Sequence, residues 1–520
     1  MSAAIGPVAA GLRRARCLLL LVTLLALGAC AYPTRNVPLE AAIDQDRGYR
    51  GYQVDDGPLP RTLVIVTVSG GGTRAAALGY GAMQALAKVK LEERGKTLLH
   101  AVDIVSSVSG GSVPAAYLAA VGPEGLPAMK DAFLYQDGIG RLLWRGLNPY
   151  GLARLSAPSV ERIDLLISWL DDTLFAADPL PSDGARYGDL RDPNAPNGWR
   201  RPFLIVNAAD MTQEQPFAFQ QDQFDLLCSD LEQLPLSVAV AASAAFPVAL
   251  SPVTLVNYTE PGGCMAQREA GDDVWPPAWV GRLETSMEQG TISPRTHRER
   301  MRRARSAASY YAAPDGKLLR PYVHLLDGGI ADNLGVAEPL RLLTTRERTL
   351  NLLSRFDRGD INRVLFLVVN ARSDAPASLD KSKATPGMFD MLNATTASAI
   401  DNATYGTLEG LQQQIRSLMR APALRDQLTV DTAYVDFDVI DDAPCRQAFQ
   451  NIATSWTLPS RQVDALIQIA EAMIWLDPGF RTFTERLGDE VKGPEMSEAA
   501  ARRTETAACD SLGPSGLESG

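Results

Sequence analysis

The sequence is short of histidine and cysteine, has no excess of positive charge and contains no long apolar run, and each shortage closes off a class of protein. Only three histidines occur among 520 residues, which leaves few ways to build a site that depends on imidazole. The formal net charge of -11 argues against a nucleic-acid partner, because such proteins usually present a basic face that displaces counterions from phosphates. No apolar stretch reaches the roughly 18 to 20 residues needed to span a bilayer as a helix, so a polytopic membrane protein is excluded. Six cysteines are present, but none has C-x-x-C spacing beside a histidine pair, and no metal site is expected. What remains is an ordinary globular composition, 46% hydrophobic and 21% charged, which rules out a collagen-like, coiled-coil or wholly disordered chain. At about three times the usual domain length, the chain can bury a sizeable core and carry accessories around it.

The N-terminus has the three parts of a secretory signal over residues 1–29: Arg13, Arg14 and Arg16, then the apolar run from Cys17 to Leu27, then Gly28 and Ala29. Leu27-Gly28-Ala29-Cys30 resembles the lipobox of bacterial lipoproteins, which implies that Cys30 becomes a lipidated N-terminus holding the protein on a membrane. Ala31 in place of an acid after that cysteine points to the outer membrane, facing the periplasm or the exterior. In such an oxidising compartment Cys228, Cys264, Cys445 and Cys509 can form two disulfides by three connectivities. Pairing of neighbours, Cys228 with Cys264 and Cys445 with Cys509, is the expectation.

Residues 30–58 read as a tether and residues 488–520, rich in Glu, Ser, Ala and Gly, as a disordered tail. The folded body begins at 59. Leu63 to Val68 is a continuous β-branched run, followed by a glycine cluster and the Ala-rich stretch from Arg74 to Glu93, and the same strand-turn-helix order recurs over 102–121. Two such units in succession predict a three-layer α/β/α fold with a mainly parallel central sheet, since parallel strands need crossovers that cover both faces. Further strands are expected at 202–208, 253–257, 322–326, 364–370 and 433–440, and helices at 156–172 and 461–475. Residues 376–487 form a C-terminal part that adds a strand and helices to the core of 59–375.

Three motifs sit at strand ends. Ser69-Gly70-Gly71-Gly72-Thr73-Arg74 joins a buried strand to a helix, and its glycines let the backbone approach a ligand while the helix start offers free N–H groups. A dinucleotide fingerprint fails because Ala75 stands where the third glycine belongs. Ser107-Val108-Ser109-Gly110-Gly111 is similar to a nucleophile elbow, with Ser107 replacing the usual first glycine, so that Ser107 must point away or the turn must widen. Leu326-Asp327-Gly328-Gly329 ends another apolar strand, where open α/β sheets collect their ligands. A serine needs a base and donors for an oxyanion, and the other two motifs can supply them.

In that chain order the glycine loop with Arg74, the serine elbow and the Asp-Gly-Gly motif resemble the patatin-like phospholipase family, and Ala242-Ser243-Ala244-Ala245-Phe246-Pro247 is similar to a further segment of it. The resemblance implies a lipid acyl hydrolase that cleaves carboxylic esters without metal or organic cofactor. Ser109 would be the nucleophile, Asp327 its partner in a dyad, and Gly70, Gly71 and Gly72 the oxyanion hole. Arg74 would fix that loop and attract a phosphate, with Gly111, Gly328 and Gly329 in support. A serine esterase or thioesterase on other acyl groups, or a non-catalytic envelope lipoprotein binding through the cleft, would carry the same motifs.

A histidine-based triad fits poorly. His324 is three residues from Asp327 on a strand and should face the other way, His100 is nine residues before Ser109, and His297 lies in the polar stretch 295–305. The arginines of that stretch could meet anionic headgroups, but such a run is by default a solvated helix face. Asp332 and Asn333 read as turn or capping residues holding Asp327. Leu142, Leu143, Trp144, Leu165, Leu166, Trp169 and Leu170 could line an acyl groove, but a helical apolar stripe is core by default. Trp275 and Trp279 read as loop staples.

Overall fold

A computed structural model describes residues 34–40, 43, 47–51, 57–93, 95–157, 160–191, 202–247, 249–259, 298–310, 318–344, 359–372, 383, 387, 404, 406–416, 419–420, 428–492 and 497–512. The proposed signal, Cys30, Cys264, Trp275, Trp279 and His297 lie outside the described residues. Eight strands form one mixed sheet. In chain order they are β1 (Thr62–Val68), β2 (Val102–Val108), β3 (Phe203–Asp210), β4 (Gln215–Ala218), β5 (Val253–Val256), β6 (Tyr322–Asp327), β7 (Arg363–Asn370) and β8 (Thr429–Asp436). Their spatial order is β8-β7-β1-β2-β3-β6-β5, with β4 paired to β3. The pairs from β8 to β3 are parallel, whereas β4, β5 and β6 run antiparallel to their neighbours. Every residue of β1, β2 and β3 is buried, so their apolar runs show no alternation because both faces are covered by the flanking helices.

The crossovers follow the expected pattern. Helix α1 (Gly72–Lys88) leaves β1 and α2 (Ser112–Gly125) leaves β2. Between α2 and β3 come α3 (Gly138–Leu147), α4 (Pro149–Leu155) and α5 (Arg162–Leu170), followed after β4 by α6 (Leu236–Ser243). Helices α7 (Arg298–Ala308) and α8 (Ala337–Thr344) flank β6 in the chain. In α7, Arg302 reaches the carbonyl of Glu214 at 2.8 Å and Arg303 faces Glu338, so part of the expected solvated face is engaged. The chain closes with α9 (Ala443–Gln450), α10 (Ser460–Leu476), α11 (Pro478–Leu487) and α12 (Glu498–Leu512).

Two expectations at the chain ends are corrected. Of the stretch taken as a tether, several of the described residues are built into the fold: Val37 and Pro38 pair with Asp230 and Ser229, and Asn36 bonds Val256 in both directions at 2.8 and 2.9 Å. Tyr49 is fully buried, stacks on Phe203 at 4.3 Å between centroids and accepts the Leu204 amide on its hydroxyl. Arg50 is buried with ion pairs to Asp222 and Asp225 at 2.7 and 2.8 Å. At the other end, residues expected to be disordered form α12, which packs along α10 and is tied by a Cys445–Cys509 disulfide. Cys228 is also disulfide-bonded. The apolar stripe divides as well: Leu166, Trp169 and Leu170 are core, but Leu143 and Trp144 are exposed.

Candidate active site

Strand β2 stops at Val108 and the chain turns through Ser109, whose φ of 50° lies in the left-handed region. A side chain held there is strained, and strain of that kind persists only where the surroundings impose it. Ser243, at the end of α6, is part of what imposes it. Its hydroxyl accepts the Ser109 amide at 2.7 Å and donates to the Asn207 carbonyl at 2.6 Å, while Ser112 Oγ lies 3.1 Å away. Ser107 points aside, its hydroxyl 3.4 Å from the Ile205 carbonyl on β3, which answers the departure from the elbow pattern.

The turn also needs room. A Cβ on Gly110 would stand 2.1 Å from the Gly72 carbonyl oxygen and one on Gly111 would stand 2.4 Å from that of Ser69, so the elbow packs backbone to backbone against the glycine loop. Gly71 and Gly72 have φ of 140° and 60°, which glycine adopts at little cost. The expectation for the three loop amides is corrected in one respect: Gly70 donates its N–H to the Asn333 carbonyl at 3.1 Å. Gly72 opens α1, where an amide has no acceptor within the helix, and neither it nor Gly71 donates to another group among the described residues.

Arg74 is buried, not aimed at a ligand. Its guanidinium donates to the carbonyls of Ala371 and Ile452 and to Thr454 Oγ1, and the Thr73 amide donates to the Ser455 carbonyl at 2.7 Å. The guanidinium thus joins the first turn of α1 to the backbone at 371 and to the strip at 452–454. Sequence reading missed this 452–457 strip, because nothing local marks a loop whose partner lies almost 400 residues earlier.

Strand β6 delivers Asp327 opposite Ala208. The Ser109 hydroxyl donates to Asp327 Oδ2 at 2.7 Å, and the Gly329 amide donates to Oδ1 at 2.9 Å. Gly328 and Asp327 are pinned through their own amides to the carbonyls of Ser243 and Ala245, each at 3.0 Å. Burial pushes the Asp327 carboxyl up to about 6, against the opposing pull of the Gly329 N–H and the Ser109 hydroxyl. Asp332 is raised to about 6 for the same reason and accepts the Ala337 amide at 2.8 Å, so it holds the turn into α8, whereas the expectation is that it holds Asp327. The described histidines are occupied elsewhere: His324 meets Thr254 Oγ1 at 2.9 Å, and His100 meets Thr97 and Glu124. Among the described residues no group of three or more His, Cys, Asp or Glu side chains could hold a metal ion.

A serine on a strained strand-to-helix turn, hydrogen-bonded to a buried aspartate beside a glycine-rich helix start, defines an α/β protein with the layout of a hydrolytic site. The model of the patatin-like phospholipase family matches residues 66–340, more than half of the chain, and the chain belongs to that family. None of the curated proteins compared with this chain matches it. Human GIVD cytosolic phospholipase A2 is similar at 11% identity and a TM-score of 0.38, covering 87% of this chain and 61% of its own. VipD from Legionella pneumophila is similar at 12% identity and a TM-score of 0.25, covering 92% and 78%.

Proposed function

We propose that the chain is a lipid acyl hydrolase that cleaves carboxylic esters, of the phospholipase A or lysophospholipase kind, through a Ser109–Asp327 dyad. The observation that carries this reading is the 2.7 Å hydrogen bond from Ser109 Oγ to Asp327 Oδ2, formed where the glycine loop abuts the elbow. Asp327 takes the hydroxyl proton as Ser109 attacks the acyl carbonyl, and the carbonyl oxygen becomes an oxyanion held by the Gly71 and Gly72 amides. The protonated carboxyl then gives its proton to the departing alkoxide, leaving an acyl-serine. Water attacks that ester, Asp327 takes its proton, and collapse returns the serine and a fatty acid. A carboxyl raised to about 6 is a stronger base than a solvated one and is still ionised at neutral pH.

A location on the cell envelope through lipidated Cys30 belongs to the same proposal, supported by the lipobox-like sequence and by a disulfide of a kind that persists in oxidising compartments. The test compares hydrolysis of phospholipid and of a chain-length series of p-nitrophenyl esters by the parent, Ser109→Ala, Asp327→Ala and His324→Ala. Both dyad variants should fall by at least about a thousandfold and the His324 variant should keep most activity. Failure of a fluorophosphonate probe to label Ser109 would overturn the reading.

A further inference from the structure

Hairpin α3–α4 is built the wrong way round for a helix pair in water. On its inner side Leu142 packs on the core and Gly146 is buried. Its outer side is also apolar: Leu143 is 55% exposed, Trp144 71%, Leu147 65% and Tyr150 73%. A helix apolar on both sides is normally covered on both, and a contiguous exposed patch of this kind marks an interaction surface.

Three features decide what covers it. Residues 138–155 contain Arg141, Arg145 and Arg154 and no acidic residue, within a chain of net charge -11. Arg145 pairs with Asp172, and Arg154 lies 5.9 Å over the Tyr150 ring. A large aromatic and aliphatic surface edged by arginine matches the headgroup boundary of an anionic bilayer, whereas two copies of this face would bring like charges together. The hairpin is also linked to the glycine loop of the candidate active site through the 455–457 strip. Asp137 caps α3 and accepts from Thr457 Oγ1 at 2.8 Å, and the Ile139 amide donates to the same hydroxyl at 2.9 Å. Two residues earlier, the Ser455 carbonyl accepts the Thr73 amide of the glycine loop.

We infer that the α3–α4 hairpin docks on the surface of an anionic phospholipid bilayer, with Trp144, Leu147 and Tyr150 entering the headgroup region. The inference deepens the hydrolase reading, on which it rests for the substrate alone. The full chain carrying Cys30→Ser is sedimented with vesicles of phosphatidylglycerol and phosphatidylcholine in equal parts and with vesicles of phosphatidylcholine alone. Replacement of Trp144, Leu147 and Tyr150 together by serine should weaken binding to the anionic vesicles by at least about tenfold. Replacement of Arg141 and Arg154 by glutamine should weaken it by roughly tenfold on anionic vesicles only. All five side chains lie outside the core, so melting temperatures should match the parent and exclude misfolding. Turnover of water-soluble p-nitrophenyl butyrate reads the Ser109 chemistry separately, so loss of that chemistry is not mistaken for loss of docking. Equal binding by the serine variant, no preference of the parent for anionic vesicles, or a parent dimer that the serine variant converts to a monomer would each overturn the proposal.

Discussion

Asp327 is a buried carboxyl, and the proposed mechanism also asks it to act as a base, two roles that conflict. In the unfolded chain it ionises near 3.8, in the fold at about 6, because burial disfavours its charge. Below pH 3.8 both states hold the proton and nothing is lost; stability then declines as pH rises through that window, and above 6 the whole penalty, about 3 kcal/mol, is present. Asp327→Asn should therefore abolish activity yet raise stability at pH 8 by up to about 3 kcal/mol, the gain shrinking as pH is lowered towards 4, as read by urea unfolding at the two pH values. The parent's kcat/KM should fall about tenfold per pH unit below an acid limb near 6. Ser243 makes no bond to the dyad side chains but holds the Ser109 amide. Ser243→Ala leaves that amide and the Asn207 carbonyl without this partner, which costs about 1–3 kcal/mol of stability. It should lower kcat by one to two orders of magnitude with little change in KM, since the elbow is misplaced rather than the substrate lost; a raised KM at unchanged kcat would contradict this role.

Among the elements, the elbow and the glycine loop act as one unit because Gly110 leaves no space for a side chain above Gly72. Gly110→Ala should cost at least about a hundredfold in activity while circular dichroism stays that of the parent, because the clash displaces two loops and not the sheet. These elements were readable in the sequence for a physical reason: each is a strand end followed by small residues, and buried parallel strands announce themselves as unbroken β-branched runs. The antiparallel strand β4 was not readable, as its four residues Gln215 to Ala218 carry no such run. The sequence pattern sets strand β8 four residues late, because Thr429 to Asp436 at the sheet edge mixes polar with apolar residues and has no unbroken β-branched run. The burial of Tyr49 and Arg50 has no signature in the sequence because single anchors in a polar stretch leave no periodicity, and α12 is hidden by a composition shared with disordered tails. Ser243 stood in a segment whose resemblance was visible but whose hydrogen bonds were not.

At the scale of the whole molecule, the Cys445–Cys509 bridge spans 64 residues and closes α10, α11 and α12 into one loop. Such a loop limits the unfolded chain by about 4 kcal/mol in the chain-entropy picture. Cys445→Ser with Cys509→Ser should lower the melting temperature by several degrees and expose α12 to protease first, while the dyad, far off in sequence, still turns over at low temperature. The strip from Ile452 to Thr457 has a further effect, on the order in which function arises. A ribosome will have made Ser109, Asp327 and the whole glycine loop more than a hundred codons before the carbonyls of Ile452 and Ser455, which Arg74 and Thr73 grip, exist. Under the proposed hydrolase reading, a chain ending at residue 440 should be inert towards p-nitrophenyl esters despite containing both Ser109 and Asp327, whereas the full chain turns them over.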